Sequence, residues 1–207
     1  MGVPNSSNSD VFHDWAKLPP ISREQFAQKL VSNLSHARSA ASGDSIELAL
    51  ASSTKSHSYQ LKTSKSETKK LLSFFQSDRR VLGDDPRVQQ GRGKPAPDIY
   101  LVALQSLNST IVDAGKKAIM PNECLVFEDS IVGVEAGRRA GMRVVWVPHI
   151  DVAVEYQERQ KDVLAGRTGM MKIGDDWQLG EIDDGWAESI PNLEYFDYEK
   201  YGIDILS

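Results

Sequence analysis

Two short segments of the sequence carry charged residues in settings that favour binding of a phosphorylated ligand. Lys94 lies between glycines and a Pro-Ala-Pro run, and the acidic pair Glu128-Asp129 directly follows the apolar run Cys124 to Phe127. A lysine on a loop stiffened by prolines is a point charge of the kind that holds phosphate. Carboxylates are rarely core residues, so a pair of them at the end of a buried strand puts negative charge at the strand end. These residue types therefore predict a charged site to which both segments contribute.

The elements that must position these residues are two strand–helix units. Pro97 can begin a helix shortly after Lys94, because a proline in the first turn loses no N–H that the helix needs. A second helix is predicted from Ile131 to Ala140, and Gly141 ends it as a C-cap residue. Open α/β sheets bind ligands beyond the carboxyl ends of their strands, so we expect the acidic pair and Ser130 at the mouth of the site.

Both segments resemble motifs of the haloacid dehalogenase superfamily of phosphohydrolases, in the branch of β-phosphoglucomutase, pseudouridine-5'-phosphatase and small sugar-phosphate phosphatases. The third motif of that family resembles Gly93-Lys94-Pro95-Ala96-Pro97-Asp98, and the fourth resembles the run from Phe127-Glu128-Asp129-Ser130 through Gly141-Met142. The resemblance covers roughly residues 46 to 150. A loop lysine or a helix-capping aspartate would explain either motif alone, but not both in this order. The resemblance implies an α/β fold, a Rossmann-like parallel sheet with flanking helices.

A third segment supplies hydroxyl groups. The apolar run Ile46 to Ala51 predicts a strand, and Ser52, Ser53 and Thr54 follow it. Small hydroxyl residues at the end of a strand can donate hydrogen bonds to phosphate oxygens, although such clusters more often form a turn or an N-cap. The resemblance places the functional hydroxyl of the family's second motif at Ser52.

The resemblance also implies an activity, which is Mg²⁺-dependent hydrolysis of a phosphomonoester of a small sugar or nucleoside. Ser52, Ser53 and Lys94 would hold the phosphate, with Ser52 and Lys94 as catalytic residues. Glu128 and Asp129 would serve the metal ion. The substrate itself is not predicted, because in this branch a helical cap selects it and most of the cap is missing.

The family's first motif, D-x-D-G, is absent, because no two aspartates of this sequence are separated by a single residue. In the family this motif supplies the nucleophile and an acid/base aspartate, and its strand lies between the strands of motifs two and four. We therefore expect little or no turnover. Without that strand, three alternatives are open for the sheet. Another segment occupies the place of the missing strand, or the two flanking strands pair with each other, or the chain is an N-terminally truncated product. The alternative function is a non-catalytic relative that binds phosphate or a partner, such as a full-length paralogue.

Composition limits the remaining possibilities. With 207 residues, 40% of them hydrophobic, the chain can form one core with small additions. We predict a remnant of a helical cap at 1–28, an α/β core at 29–150 and an acidic C-terminal extension at 151–207 that packs on the core. The extension has 5 basic and 14 acidic residues, which argues against nucleic acid as a partner. A single cysteine and the lack of a long apolar run predict a cytoplasmic protein without disulfides or a membrane segment.

Two further segments are assigned structural roles on sequence grounds. Asp84 and Asp85 could bind a metal ion, but between Gly83 and Pro86 a turn is the favoured interpretation. The stretch from residue 108 to residue 122 is predicted to be a loop between the third motif's helix and the fourth motif's strand.

Overall fold

The computed structural model describes residues 23–63, 66–169 and 179–205. Most of the proposed cap remnant lies outside these residues. The described α-helices are α1 (Arg23–His36), α2 (Ser56–Lys62), α3 (Ser66–Leu72), α4 (Asp98–Asp113), α5 (Ile131–Arg139), α6 (Ile150–Glu155) and α7 (Gln160–Ala165). The strands are β1 (Arg38–Ser39), β2 (Leu50–Ala51), β3 (Arg80–Val81), β4 (Leu125–Glu128), β5 (Arg143–Trp146), β6 (Ala187–Ser189) and β7 (Ile203–Asp204).

Two parallel ladders carry the segments that the sequence analysis selected. In the larger ladder β5 lies between β4 and β6, and Glu128 is opposite Trp146. In the smaller ladder β2 pairs with β3, and Ala51 is opposite Val81. A short antiparallel pair, β1 with β7, lies apart from both ladders.

The core covers both faces of the larger ladder, because side chains alternate along β5. Val144 and Trp146 pack in a cluster with residues of α4 and α5, whereas Val145 packs in a second cluster with Leu30 and Leu34 of α1. All five side chains are buried. Burial on both faces is typical of parallel sheets with flanking helices. The predicted fold class is confirmed.

The strands β2 and β4 occupy the same two layers but do not pair. Ala51 and Val126 pack in the cluster with α4 and α5, while Phe127 and Leu48, which lies two residues before β2, pack in the cluster with α1. No ladder joins β2 to β4 in the described part of the chain, so the alternative in which the flanking strands pair is wrong there. The strand predicted from residue 46 is shorter than expected, because only its last two residues have a ladder partner.

The helix α4 continues past residue 108, the predicted start of the following loop. Asn108 does not stop the helix, because its side chain reaches out and binds Ile119 in the following loop. The amide nitrogen of Asn108 donates to the Ile119 carbonyl at 2.9 Å, and its oxygen accepts the Ile119 N–H at 2.8 Å. Ile111, almost one turn later, is buried in the core. The predicted loop therefore begins only after Asp113.

The C-terminal segment from residue 179 contacts the core at several points. Its strand β6 extends the larger ladder, which the sequence analysis did not predict. Asp184 forms an ion pair with Arg138 of α5, whose side chain is buried. The ring of Phe196 packs edge-on against Phe127 with the centroids 4.9 Å apart. Among the helices of the described ranges, none has the length and apolar character needed to cross a membrane.

Candidate functional site

The Lys94 loop is fixed at its base by an ion pair. Arg92 donates two hydrogen bonds, of 2.6 and 2.7 Å, to the two carboxylate oxygens of Asp98 at the start of α4. This two-point geometry fixes the guanidinium and the carboxylate in one orientation. Ala96 and Pro97, between Lys94 and Asp98, are buried. The lysine is therefore carried on a loop that is held at both ends.

Lys94 and Glu128 form a buried ion pair. Both side chains are only 7% exposed, and the Lys94 ammonium donates a hydrogen bond to the Glu128 carboxylate. The same ammonium lies 3.3 Å from the carbonyl oxygen of Ala51. The two contacts join the ends of β2 and β4, which no ladder connects. Removing one partner of a buried pair leaves an uncompensated charge, at a cost of about 3–5 kcal/mol.

Tyr100 is a third member of this cluster. Its hydroxyl donates a hydrogen bond to Glu128, and the Lys94 ammonium lies 4.8 Å from the centroid of its ring. Burial, reinforced by the negative charge of Glu128, raises the pKa of Tyr100 well above its usual value. The hydroxyl therefore stays protonated at neutral pH and remains a donor to the carboxylate.

The turn after β4 shapes the site from the other side. Ser130 donates to Glu128 through its hydroxyl at 3.0 Å and its N–H at 3.3 Å. As the N-cap of α5, its hydroxyl also accepts the N–H of Gly133 at 3.2 Å. A Cβ at Gly133 would overlap the Glu128 carboxylate. The serine and the glycine of this motif are therefore packing requirements of the buried glutamate.

Ser52 and Ser53 follow directly after the Ala51 carbonyl that Lys94 contacts. The Ser52 N–H donates to the Val81 carbonyl at 2.9 Å, and its hydroxyl accepts the Thr54 N–H at 3.2 Å. Ser53 is exposed, and its carbonyl lies against Gly83 so closely that a Cβ there would overlap it. The Ser52 hydroxyl thus forms a hydrogen bond within its own turn. The residue itself directly follows Ala51, whose carbonyl contacts the Lys94 ammonium.

Asp129 lies just beyond the buried cluster and is exposed. Its backbone carbonyl accepts a hydrogen bond from the Trp146 indole at 3.2 Å, which fixes the end of β4 against β5. Mg²⁺ commonly binds one or two carboxylates and completes its shell with water and phosphate oxygens. Asp129 and Glu128 fit that ion in donor chemistry. Within ranges 23–63, 66–169 and 179–205, no group of three or more His, Cys, Asp or Glu residues could hold a metal.

Asp84 and Asp85 have structural roles. Asp84 accepts the N–H of Ser56 at 2.9 Å and its hydroxyl at 2.8 Å, at the start of α2. The guanidinium of Arg87 binds both oxygens of Asp85, at 2.9 and 2.7 Å. These hydrogen bonds lower the pKa of each carboxyl. The interpretation of this pair as a turn is confirmed.

The contacts of Tyr100 and Gly133 with Glu128 are not predicted from the sequence. The apolar pattern of α4 places Tyr100 in the core, where it lies, but the pattern does not show what its hydroxyl contacts. A chemical signal was available, because a buried tyrosine needs a partner for its hydroxyl and this one follows the Lys94 loop. Gly133 lies within the fourth-motif run, but the motif alone does not show why a glycine is needed there, which is that the Glu128 carboxylate occupies the place of a Cβ.

Comparison with known proteins supports one family. A family model described as hydrolase, haloacid dehalogenase-like hydrolase, matches residues 24–141. An uncharacterized protein of Schizosaccharomyces pombe is 33% identical over 220 residues, which cover 97% of this chain and 77% of that protein. A probable pseudouridine-5'-phosphatase of Saccharomyces cerevisiae is 34% identical over 158 residues, which cover 76% of this chain and 55% of that protein.

A probable pseudouridine-5'-phosphatase of Drosophila melanogaster is 37% identical over 122 residues, which cover 58% of this chain and 46% of that protein. The chain thus spans about half the length of the two relatives named as phosphatases. The matched range of the family model includes Ser52, Lys94 and the Glu128-Asp129 pair. By these matches, the chain belongs to the haloacid dehalogenase-like hydrolases.

Proposed function

We propose that this chain carries the phosphate-binding and metal-binding parts of a Mg²⁺-dependent phosphomonoesterase for a small phosphorylated sugar or nucleoside. Lys94 and Ser52 hold the phosphate and act as catalytic residues, and Ser53 adds a further donor. Asp129 holds the metal ion together with Glu128. The bound ion would offset negative charge on the phosphoryl group. The phosphatase relatives give this proposal its reaction class.

The observation that carries the proposal is the position of the Lys94 ammonium. It contacts the carbonyl of Ala51, immediately before Ser52, and the carboxylate of Glu128, immediately before Asp129. Three segments that are far apart in sequence therefore meet at one lysine. The ion pair between Arg92 and Asp98, with its two hydrogen bonds, keeps the Lys94 loop in place. A phosphate at Lys94 would lie within reach of donors and carboxylates from both ladders.

We further propose that turnover by this chain is absent or severely reduced. The chemistry of a phosphoenzyme needs an attacking carboxylate and a proton donor for the leaving group. No D-x-D sequence is present to supply them. The carboxylates that the site does contain are engaged otherwise: Glu128 is hydrogen-bonded to Lys94 and Tyr100, and Asp129 is assigned to the metal.

A non-catalytic function is the second candidate, and the separated ladders favour it. The sides of β2 and β4 that face the gap have no ladder partner in the described part of the chain. Buried N–H and C=O groups left without partners are destabilising, so such edges favour pairing with another strand. In this candidate the chain binds phosphate, or pairs through these edges with a full-length paralogue. Mixing the two chains and measuring their mass in solution tests the pairing.

Nucleic acid is not a partner in this proposal, because the segment after residue 150 is strongly acidic. A membrane is not a partner either. The single cysteine, Cys124, is a free thiol, which supports the cytoplasmic location that we propose. Imaging of a tagged chain tests the proposed cytoplasmic location.

The experiment that tests the function is a phosphate-release assay on a panel of sugar and nucleoside monophosphates, with Mg²⁺ and with EDTA. In parallel, the melting temperature is followed as inorganic phosphate and Mg²⁺ are added, because a ligand that binds the native state raises it. We expect little release and a clear rise in melting temperature. Asp129→Asn should remove the response to Mg²⁺. The exposed Asp113 provides a matched control, Asp113→Asn, which should keep it.

Metal-dependent release that Asp129→Asn abolishes would show that the chain is an active phosphatase, against our expectation for turnover. No release and no response to either ion would refute both the phosphatase and the phosphate-binding functions.

A further inference from the structure

The two opposite charges of the candidate site neutralise each other. The side chains of Lys94 and Glu128 are both 7% exposed and are joined by a hydrogen bond. At such burial an ammonium or a carboxylate without a counter-charge is strongly unfavourable. A ligand ion that takes one of these side chains as its partner therefore leaves the other charge uncompensated.

Neutral groups hold each side chain in position if the pair separates. The Lys94 ammonium retains the Ala51 carbonyl at 3.3 Å and the face of the Tyr100 ring at 4.8 Å. Glu128 retains the Tyr100 hydroxyl and both donors of Ser130. These dipoles preserve geometry, but they do not supply a full charge of opposite sign. The two side chains can therefore separate and still keep their positions, but only a bound ion can replace the counter-charge that each of them loses.

We propose that the Lys94–Glu128 pair couples the binding of an anion to the binding of a divalent cation. An anion alone must compete with Glu128 for Lys94, and a cation alone must compete with Lys94 for Glu128. When both ions bind, the Lys94–Glu128 pair has to separate only once, and each buried charge gains an ion of opposite sign as its new partner. Each ion therefore strengthens the binding of the other by the same factor, because binding linkage is reciprocal. This inference rests on the proposed function.

The test uses inorganic phosphate and Mg²⁺ as probes and titration calorimetry on the full chain. Free concentrations are corrected for association of the two ions in solution. For the wild-type chain we expect weak binding of phosphate alone, strengthened roughly 5- to 150-fold by saturating Mg²⁺. Direct contact between the bound ions could also produce such an enhancement, so variants are needed to identify the pair as its source.

Glu128→Gln removes the competitor for Lys94. We expect this variant to bind phosphate alone more tightly than the wild type does, and to show a smaller enhancement by Mg²⁺. Lys94→Gln gives the mirror test, with tighter binding of Mg²⁺ alone, and it keeps the proposal testable if the first variant does not fold. Glu135→Gln is the matched control, because Glu135 is 2% exposed and paired with Arg139 away from the site. Its binding constants should match those of the wild type.

Equal phosphate affinity of Glu128→Gln and the wild type without Mg²⁺ would overturn the coupling, and so would independent binding of the two ions to the wild type. Both outcomes leave the proposed function intact. Failure of the wild type to bind either ion, alone or together, would instead overturn the proposed function and this inference with it.

Discussion

Gly133 makes room for Glu128: the Cβ of any larger residue at position 133 would occupy the place of the carboxylate. That carboxylate accepts hydrogen bonds from Lys94 of the loop before α4 and from Tyr100 within α4. The absence of a side chain on α5 thus allows a buried ion pair to form between two other segments.

Gly133→Ala should destabilise the protein although alanine is the better helix former. In a helix with free space the change would gain about 1 kcal/mol. Here the methyl group displaces the Glu128 carboxylate, and we expect a net loss of roughly 1–3 kcal/mol, in the range of overpacked cores. Urea denaturation measures the change. At Gly93, where an added Cβ would meet nothing within 4 Å, Gly93→Ala should be nearly neutral. A stabilised Gly133→Ala would contradict the packing described here.

Lys94→Met should cost far more than removal of an exposed lysine. The change leaves Glu128 buried without a counter-charge, and we expect a loss of about 3–5 kcal/mol in the free energy of unfolding. Lys200 is a suitable control, because it is paired with Glu188 but is 51% exposed. Lys200→Met should change stability by less than about 1 kcal/mol. Similar losses for the two variants, measured by denaturant unfolding, would argue against a buried pair at Lys94.

Stability should fall in alkaline solution in part because of Tyr201. Burial, and then its 2.6 Å hydrogen bond to Glu188, raise the pKa of Tyr201 above the usual value. Below pH about 10 both folded and unfolded states keep the phenol proton. Above it the unfolded state loses the proton while the folded state retains it, so the free energy of unfolding decreases as the pH rises.

Tyr201→Phe should therefore show a shallower decrease between about pH 9 and 11. At neutral pH we expect it to lose about 0.5–1.5 kcal/mol, because one hydrogen bond is removed. Tyr195, which is 65% exposed, supplies the control variant Tyr195→Phe. Denaturant unfolding across this pH range gives both quantities. If Tyr201→Phe and the wild type show the same pH slope, Tyr201 does not hold its proton in the folded state.

The thiol of Cys124 should react slowly in the folded protein. Burial, with a smaller effect of Glu123, raises the pKa of Cys124 to about 11. At pH 8 only about one thiol in a thousand is then ionised, against roughly one in four for a free cysteine. We expect slow colour development with an aromatic disulfide reagent and rapid reaction after unfolding in urea. Rapid reaction of the native protein would show that the thiol is ionised and accessible.

The local elements of the fourth motif follow from sequence alone. Ser130 begins α5 by capping the Gly133 N–H, and Gly141 follows its end with φ +73°, a backbone conformation that glycine adopts without strain. Both signals act within a few residues, so they are readable from the chain. The predicted helix and strand of this segment accordingly lie within one residue of the observed ones at each end.

The Lys94 loop and the Asp84-Asp85 turn show the same principle. Pro97 precedes the first residue of α4, and Asp85 binds Arg87 two residues later. In each case the residue type restricts the backbone or satisfies a nearby donor. Asn108 shows the limit of such signals, because its side chain binds Ile119 instead of ending the helix, and only the folded loop brings that backbone within reach.

The family, the α/β class and the residue types of the candidate site can be read from the sequence, because they depend on local patterns and on motifs in a fixed order. Only the folded chain shows that Lys94 pairs with Glu128 and that Tyr100 binds the same carboxylate. The same holds for the sheet, which β6 joins, and for β2 and β4, which do not pair. These contacts join residues far apart in the chain. Their formation depends on burial and on the positions of other elements, which no short stretch of sequence encodes.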